Sequence, residues 1–160
     1  MPGSPRTDRR RLGNDAWEAL LSAHARLMKQ FAAEDIWQDL SMREYDVLYT
    51  LSKCREPLRL GELHQHVLLS QPALSRMVER LVERGFVARC PDVRDRRGVR
   101  LSLTAAGRDR QRRIGARHAR SVARALSAEL DGDELAQLSA ICWKLARPHI
   151  ASKDDVKEAT

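Results

Sequence analysis

Two short stretches with strand-like character flank a turn rich in arginine and aspartate, and this pattern limits the possible folds more than any other part of the chain. Phe86 and Val87 lead into the segment 91–98, PDVRDRRG, and apolar and polar residues then alternate along 99–103, VRLSL. Alternation with a period of two places the apolar side chains on one face of a strand. The pattern therefore predicts a β-hairpin with an arginine-rich tip.

Positive charge is concentrated in the same part of the chain. Residues 89–113 contain nine arginines, three aspartates and no glutamate, and the whole protein has 29 basic against 22 acidic residues, a net charge of +7. An arginine-rich tip contributes little to a core but binds phosphate well, which favours an anionic polymer as partner. The chain has only three Trp, two Tyr and two Phe, which argues against single-strand recognition through rows of stacking rings. No apolar run approaches the roughly 18 residues of a membrane-spanning helix, so no membrane partner is expected.

The sequence before the hairpin indicates two short helices separated by a tight turn. Residues 61–67 form the first helix, and Ser70 caps the second, in which Pro72 is tolerated in the first turn. Gly85 ends the second helix. The residues of this helix that face outward are Gln71, Pro72, Ser75, Arg76, Glu79 and Arg80. Helix, turn, helix and hairpin together predict a winged helix-turn-helix.

Longer helices flank this unit at both ends of the sequence. Asn14 or Asp15 is expected to cap the first helix. Ser41 and Glu44 form a capping box for the next helix, and Thr104 caps a long arginine-rich one. The predicted fold is mainly α with a small β wing, a winged helix-turn-helix flanked by the helices of a dimerisation region. The predicted divisions are a disordered basic arm (1–13), an N-terminal dimerisation helix (14–40), the DNA-binding lobe (41–103), C-terminal dimerisation helices (104–150) and a flexible tail (151–160).

The apolar stripes of these flanking helices require a partner surface. Packing against a second copy would bury them and place two identical winged units side by side. Two-fold symmetry then predicts a homodimer on pseudo-palindromic double-stranded DNA, with half-sites roughly 10 bp apart. The alternative is a monomer whose three flanking helices pack only on one another.

Three motifs follow one another at a spacing known from one protein family. Residues 69–76 read LSQPALSR, residues 92–98 read DVRDRRG and residues 103–107 read LTAAG. In this order they resemble the start of the recognition helix, the wing signature and the start of the next helix of the MarR family of bacterial winged-helix regulators. The resemblance covers about residues 14–147. It implies a homodimer that binds palindromic promoter DNA, usually as a repressor, and is often released when a small molecule or oxidant is sensed.

The resemblance also implies roles for individual residues. The recognition helix enters the major groove, Arg97 enters the flanking minor groove, and Asp95 holds the wing in shape. A narrow minor groove concentrates negative potential and attracts arginine. The candidate DNA-binding residues are Ser70, Gln71, Pro72, Ser75, Arg76 and Arg80 on the helix and Arg94, Arg96 and Arg97 on the wing. Arg76 is suited to a guanine edge, but contacts to bases and to phosphates remain open for each residue of the helix.

A sensing site is suggested by polar and aromatic residues near the first helix. His24 interrupts the apolar stripe that includes Trp17 and Met28, while Trp37 and Tyr45 lie in or beside the following turn and helix. An apolar cleft with a few polar groups suits a small aromatic acid, which the family often binds near this junction. The alternative is a packed core in which His24 has only a structural role.

The cysteines and the remaining histidines offer weaker signals. Cys54 lies between Lys53 and Arg55, and positive charge favours the thiolate, so a redox-sensing regulator is an alternative function. Three widely spaced cysteines suit a reducing cytoplasm rather than a disulfide framework. His64 and His66 do not share a helix face, so no metal site is expected.

Other classes of function lack sequence support. The chain contains no GxGxxG, GxxxxGK, CxxC, HExxH or GxSxG motif, so neither an enzyme nor a bound cofactor is expected. A winged-helix module that binds protein is a further alternative, but such a module does not need so basic a wing.

Overall fold

The computed structural model describes residues 5–92, 95 and 98–146. Its elements in chain order are α1 (Pro5–Ala32), α2 (Met42–Lys53), β1 (Leu58–Arg59), α3 (Leu60–His64), α4 (Gln71–Glu83), β2 (Val87–Pro91), β3 (Val99–Leu103), α5 (Ala105–Ser127) and α6 (Gly132–Ala146). The mainly helical fold with a small β wing, predicted from the sequence, is confirmed.

The three strands form one antiparallel sheet in the order β1-β3-β2. Val87 lies opposite Leu103, and Pro91 lies opposite Val99 at the far end of the hairpin. Leu58 of β1 pairs with Leu101, which joins the hairpin to the residues just before α3. The predicted pair of hairpin strands is therefore present, in a sheet that also includes the residues just before α3.

The core of the winged unit lies between this sheet and α2, α3 and α4. The apolar face of α4 is buried as its spacing predicts, and Leu63 of α3 is fully buried beside it. Together, α2, α3, α4 and the sheet contribute twelve buried apolar side chains to this core: Tyr45, Val47, Leu48, Leu51, Leu63, Leu74, Met77, Val78, Leu81, Val87, Leu101 and Leu103. Burial of one face of α4 leaves its polar face available for contact with another molecule.

Local capping fixes where several elements begin and end. The predicted capping box on α2 is confirmed, because Ser41 Oγ accepts from Glu44 N and the Glu44 carboxylate accepts from Ser41 N. Gly85 has a φ of 72°, the left-handed conformation that ends α4. Thr104 Oγ1 accepts from Gly107 N at 3.0 Å, so Thr104 caps α5 as predicted.

The first helix begins earlier than the sequence predicted. It starts at Pro5 rather than at a cap formed by Asn14 or Asp15, so residues 5–13 of the expected disordered arm are helical. Proline is favoured at a first helical position, and the acidic Asp8 in the first turn complements the helix dipole. These features outweigh the cap preference of Asn14 and Asp15, which lie inside the helix. The remainder of the predicted arm, residues 1–4, lies outside the described residues.

The chain divides into two compact units, with the boundary after Ser121 inside α5. The first contains α1 to α4, the sheet and most of α5. The second contains the end of α5 and α6, and none of the residues of α6 is buried. The predicted tail, residues 151–160, lies outside the described part of the chain.

Candidate nucleic-acid interface

The N-terminal half of α4 presents most of the predicted DNA-binding side chains to solvent. Ser70 occupies the N-cap position, and it is exposed together with Gln71, Pro72, Arg76 and Arg80. No side-chain oxygen caps the first turn of this helix among the described residues. Its amide groups therefore remain available for hydrogen bonds to an anion.

Ser75 differs from its neighbours on this helix. It was expected to face outward, but it is half-buried and lines a cleft of about 250 Å³ between α4 and the sheet. Ser75 lies three residues before the buried Val78, so the helical turn places it at the edge of the apolar face. Ser75 therefore lies at the edge of the outward face of α4.

Arg80 is held partly back toward the protein. Its Nη1 donates to the Arg76 carbonyl at 3.4 Å, and its Nε lies 3.8 Å from Glu44 Oε1 of α2. Half of the Arg80 side chain is exposed. The guanidinium groups of Arg76 and Arg80 thus differ, because of the two only Arg80 is paired with a carboxylate of the described residues.

A buried carboxylate anchors the base of the wing. The side chain of Asp92 is fully buried, and its Oδ2 lies 2.7 Å from Arg59 Nε, 2.6 Å from Arg59 Nη2 and 3.0 Å from Arg100 Nε. Arg100 Nη1 also donates to the Pro57 carbonyl at 2.8 Å. The hydrogen bond and ion pair with Asp92 raise the pKa of Arg59. Asp92 therefore joins β1, β3 and the hairpin tip by charge-assisted hydrogen bonds.

Backbone hydrogen bonds connect Asp92, Gly98 and Asp95. Its N–H donates to the Gly98 carbonyl at 3.0 Å, and the Gly98 N–H donates to the Asp95 carbonyl at 2.8 Å. Asp95, the predicted wing-stabilising acid, lies 3.5 Å from Arg59 Nη2 and is about half exposed. Asp92 makes the shorter contacts, and the sequence did not identify its role. Arg94, Arg96 and Arg97 lie outside the described residues.

An aromatic cluster forms where the end of α1, the α1–α2 loop, α2 and α5 meet. It consists of Phe31, Trp37, Tyr45 and His118, with the His118 ring 5.1–5.7 Å from the other three centroids. Trp37 Nε1 donates to the Phe31 carbonyl at 2.7 Å. The structure thus brings together Trp37 and Tyr45 of the predicted pocket.

His118 contributes the polar group of this cluster. Burial lowers the pKa of His118, and the nearby Glu34 carboxylate partly opposes that effect. Burial also raises the pKa of Tyr45, partly offset by its hydrogen bond with Gln111. Within the described ranges, His118 Nδ1 and Glu34 Oε2 are buried without a hydrogen-bond partner. The cluster therefore contains polar atoms that a bound molecule could satisfy.

The remaining predicted pocket residues do not join the cluster within one chain. Trp17 is 59% exposed, His24 is exposed and Met28 is half-buried. His24 and Trp17 lie on the part of α1 that precedes the cluster. The histidine that contacts the aromatic rings is His118, whereas the sequence suggested His24. The ring contacts described for His118 are with residues of its own chain.

Among the residues that the structure describes, the cysteines and histidines form no recognisable reactive group. Cys54 is half-buried, and its Sγ donates to the Thr50 carbonyl at 3.4 Å. The neighbouring Lys53 ammonium lies 4.2 Å above the Tyr49 ring. Cys90 and Cys142 are half-buried as well. Among the described residues, no three His, Cys, Asp or Glu side chains are grouped to hold a metal ion.

Comparison with known proteins shows that this winged unit is similar to one family. The model of the MarR family matches residues 40–99, which contain the capping box, the helix-turn-helix and the wing. The multiple antibiotic resistance protein MarR of Salmonella typhimurium is 28% identical over 107 residues, or 67% of this chain and 74% of that protein. The chain thus resembles the MarR family across this segment.

Solved structures of MarR proteins share the fold. A mutant MarR from E. coli, crystallised in complex with operator DNA, has a TM-score of 0.69 and 24% identity, covering 91% of this chain and 100% of that one. The PcaV regulator from Streptomyces coelicolor, in complex with its natural ligand, has a TM-score of 0.61 and 27% identity, covering 82% and 89%. Within the described residues of this chain, no helix has both the length and the apolar content to cross a membrane.

Proposed function

We propose that this protein is a homodimeric repressor that binds a pseudo-palindromic operator and is released by a small aromatic acid. The observation that carries the proposal is the exposed polar face of α4 beside a wing whose base is fixed by Asp92. A fixed wing loses less conformational entropy on binding DNA than a mobile one does.

The helix α4 supplies the contacts in the major groove. Arg76 is exposed and unpaired with any carboxylate of the described residues, so it is the side chain best suited to a guanine edge. Ser70, Gln71 and Pro72 surround the helix N-terminus, where amide groups favour a phosphate. Arg80 contacts a phosphate after leaving Glu44, and Ser75 makes a contact at the edge of the interface.

The wing supplies the contact in the flanking minor groove. Arg97 enters the groove, and Arg94 and Arg96 lie along the adjacent phosphates. Support comes from the wing base, where Asp92 and Asp95 both lie close to Arg59. Asp95 therefore assists Asp92 in keeping the hairpin in one conformation.

Dimerisation occurs through the helices at the two ends of the chain. On α1, Leu12, Trp17 and Leu21 are 46–60% exposed, and on α6 Ile141 and Trp143 are 57% and 67% exposed. Such apolar side chains are energetically costly in water, and a second copy would bury them. The two recognition helices of the dimer then read half-sites roughly 10 bp apart.

The aromatic cluster is the proposed centre of effector binding. A small aromatic acid would stack on Trp37 or Tyr45, and its hydroxyl would satisfy His118 Nδ1 or Glu34 Oε2, which lack partners in the described structure. Titration with 4-hydroxybenzoate, followed by tryptophan fluorescence and by operator affinity, tests this part. The proposal requires a fluorescence change with weaker operator binding; no response to phenolic acids contradicts it.

The DNA-binding role is tested with Arg76→Ala and a control, Arg117→Ala. Both changes remove one exposed arginine, but Arg117 lies on α5. Arg76→Ala is expected to lower operator affinity by about 1–3 kcal/mol and to relax sequence preference. Arg117→Ala is expected to have a smaller effect, equal on operator and random duplexes. If Arg76→Ala weakens all duplexes equally, Arg76 contacts phosphate instead of a base.

A further inference from the structure

The carboxylate of Asp39, in the α1–α2 loop, contacts one arginine at the end of α4 and another in α5. Asp39 Oδ2 accepts from Arg84 Nη2, at the C-terminal end of α4, at 2.7 Å. The Asp39 carbonyl accepts from the same nitrogen at 2.9 Å. Its other carboxylate oxygen lies 2.9 Å from Arg110 Nη1 of α5. Asp39 therefore links the loop, the end of α4 and the first half of α5.

A shared aromatic ring strengthens this link. The Arg84 and Arg110 guanidinium groups lie 5.1 Å and 5.6 Å from the centroid of Phe86, the residue just before β2. Cations over an aromatic face gain further attraction. Both arginines are mostly buried, with 30% and 21% of their side chains exposed. They are thus held in one arrangement, unlike typical surface arginines.

The loop conformation is imposed by tertiary contacts. Gln38 has a φ of 58°, a left-handed conformation that is unfavourable for a residue with a side chain. Its Oε1 accepts from Arg110 Nη1 at 2.6 Å. On its other side, Trp37 is fixed in the aromatic cluster. Local preference does not explain the left-handed conformation of Gln38. The contacts of this loop with Arg84 and Arg110 do explain it.

We propose that Asp39 is a positioning residue for DNA recognition. By binding Arg84 and Arg110, it fixes the C-terminal end of α4 against α5, and this sets the angle at which the N-terminal half of α4 meets the bases. The inference rests on the proposed function of α4. An acidic side chain near a DNA-binding element weakens attraction to phosphate, so its electrostatic effect and its positioning effect have opposite signs.

The test compares Asp39→Asn with a matched control, Asp35→Asn. Both residues lie in the same loop and both variants lose one negative charge, but Asp35 makes no ion pair or hydrogen bond in the described structure. Affinity is measured for a duplex selected from a random pool and for an unselected duplex, at several salt concentrations. Circular dichroism confirms that each variant is folded.

Positioning predicts that Asp39→Asn lowers affinity for the selected duplex by about tenfold, roughly 1.4 kcal/mol, while affinity for the unselected duplex is unchanged or higher. Asp35→Asn should leave the ratio of the two affinities unchanged. If Asp39→Asn behaves like Asp35→Asn, the inference is overturned while the proposed function stands. If the wild-type protein binds neither duplex, both are overturned.

A double-mutant cycle provides a second measurement that does not depend on Asp39→Asn alone. Arg84→Gln removes the main partner of Asp39 on α4. If Asp39 acts through Arg84, the losses of selectivity in Asp39→Asn and Arg84→Gln are not additive in the double variant. Should Asp39→Asn fold poorly, Arg84→Gln alone provides the test, because it removes the partner of Asp39 on α4. Unchanged selectivity in Arg84→Gln then overturns the inference, and lowered selectivity supports it.

Discussion

Gly107→Ala is expected to destabilise the protein although alanine is the better helix former. Gly107 lies in the first turn of α5, where an added Cβ would be 2.0 Å from the Phe86 carbonyl oxygen and 2.9 Å from its carbon. That oxygen also accepts from Thr104 N at 3.1 Å and lies 3.3 Å from Thr104 Oγ1. It cannot move away from the new methyl group without disturbing the start of α5.

The expected magnitude follows from opposing terms. Alanine gains about 1 kcal/mol in helix propensity. Overpacking against a backbone atom costs about 1–3 kcal/mol or more, and disturbing the two contacts from Thr104 to Phe86 costs about 1 kcal/mol each. The net loss is then about 2–4 kcal/mol. For a chain of this size it lowers Tm by roughly 4–16 °C.

Thermal unfolding followed by circular dichroism measures this loss, with Gly13→Ala as the matched control. Gly13 also lies inside a helix, but nothing lies within 4 Å of its added Cβ. Gly13→Ala is therefore expected to raise stability by up to about 1 kcal/mol. A Gly107→Ala protein with a Tm equal to or above that of wild type refutes the close approach of α5 to the hairpin.

Two further changes test the wing base and a buried carboxyl group. Asp92→Asn removes the negative charge that Arg59 and Arg100 share. Both arginines are partly exposed, which reduces the expected effect, so urea unfolding should show a free energy of unfolding lower by about 2 kcal/mol. An unchanged urea midpoint contradicts this. Burial raises the pKa of the Asp46 carboxyl group to about 6, so the folded protein binds the carboxyl proton more tightly than the unfolded chain does. That stabilisation is complete below about pH 4 and is lost as pH rises through about 6. At pH 7.5 the free energy of unfolding of Asp46→Asn should therefore be about 1–2 kcal/mol higher than that of wild type. The difference is no larger because solvent screens this half-buried group. Near pH 4 the two free energies of unfolding should be equal. A difference that does not vary with pH contradicts the assignment.

Features with short-range causes were predictable from the sequence. The Ser41–Glu44 capping box, the left-handed Gly85 and the Thr104 cap each depend on residues within a few positions of one another. The alternation in 99–103 likewise predicted a strand and the face that it buries. Such signals are local, so one sequence is enough to find them.

Features that depend on distant residues were missed. Asp92 binds Arg59, which is 33 positions earlier, and nothing in the local sequence distinguishes Asp92 from Asp95. His118 meets Phe31 and Trp37 only through the packing of α5 on the end of α1. The individual DNA contacts remain predictions.

The central claim is that two identical winged units, joined by their terminal helices, bind one duplex at matched positions. Sedimentation of the purified protein with a duplex selected from a random pool measures this directly. The account predicts a dimer without DNA, and two chains per duplex on a site whose half-sites lie roughly 10 bp apart. A monomer at micromolar concentration that binds no duplex at low salt contradicts it.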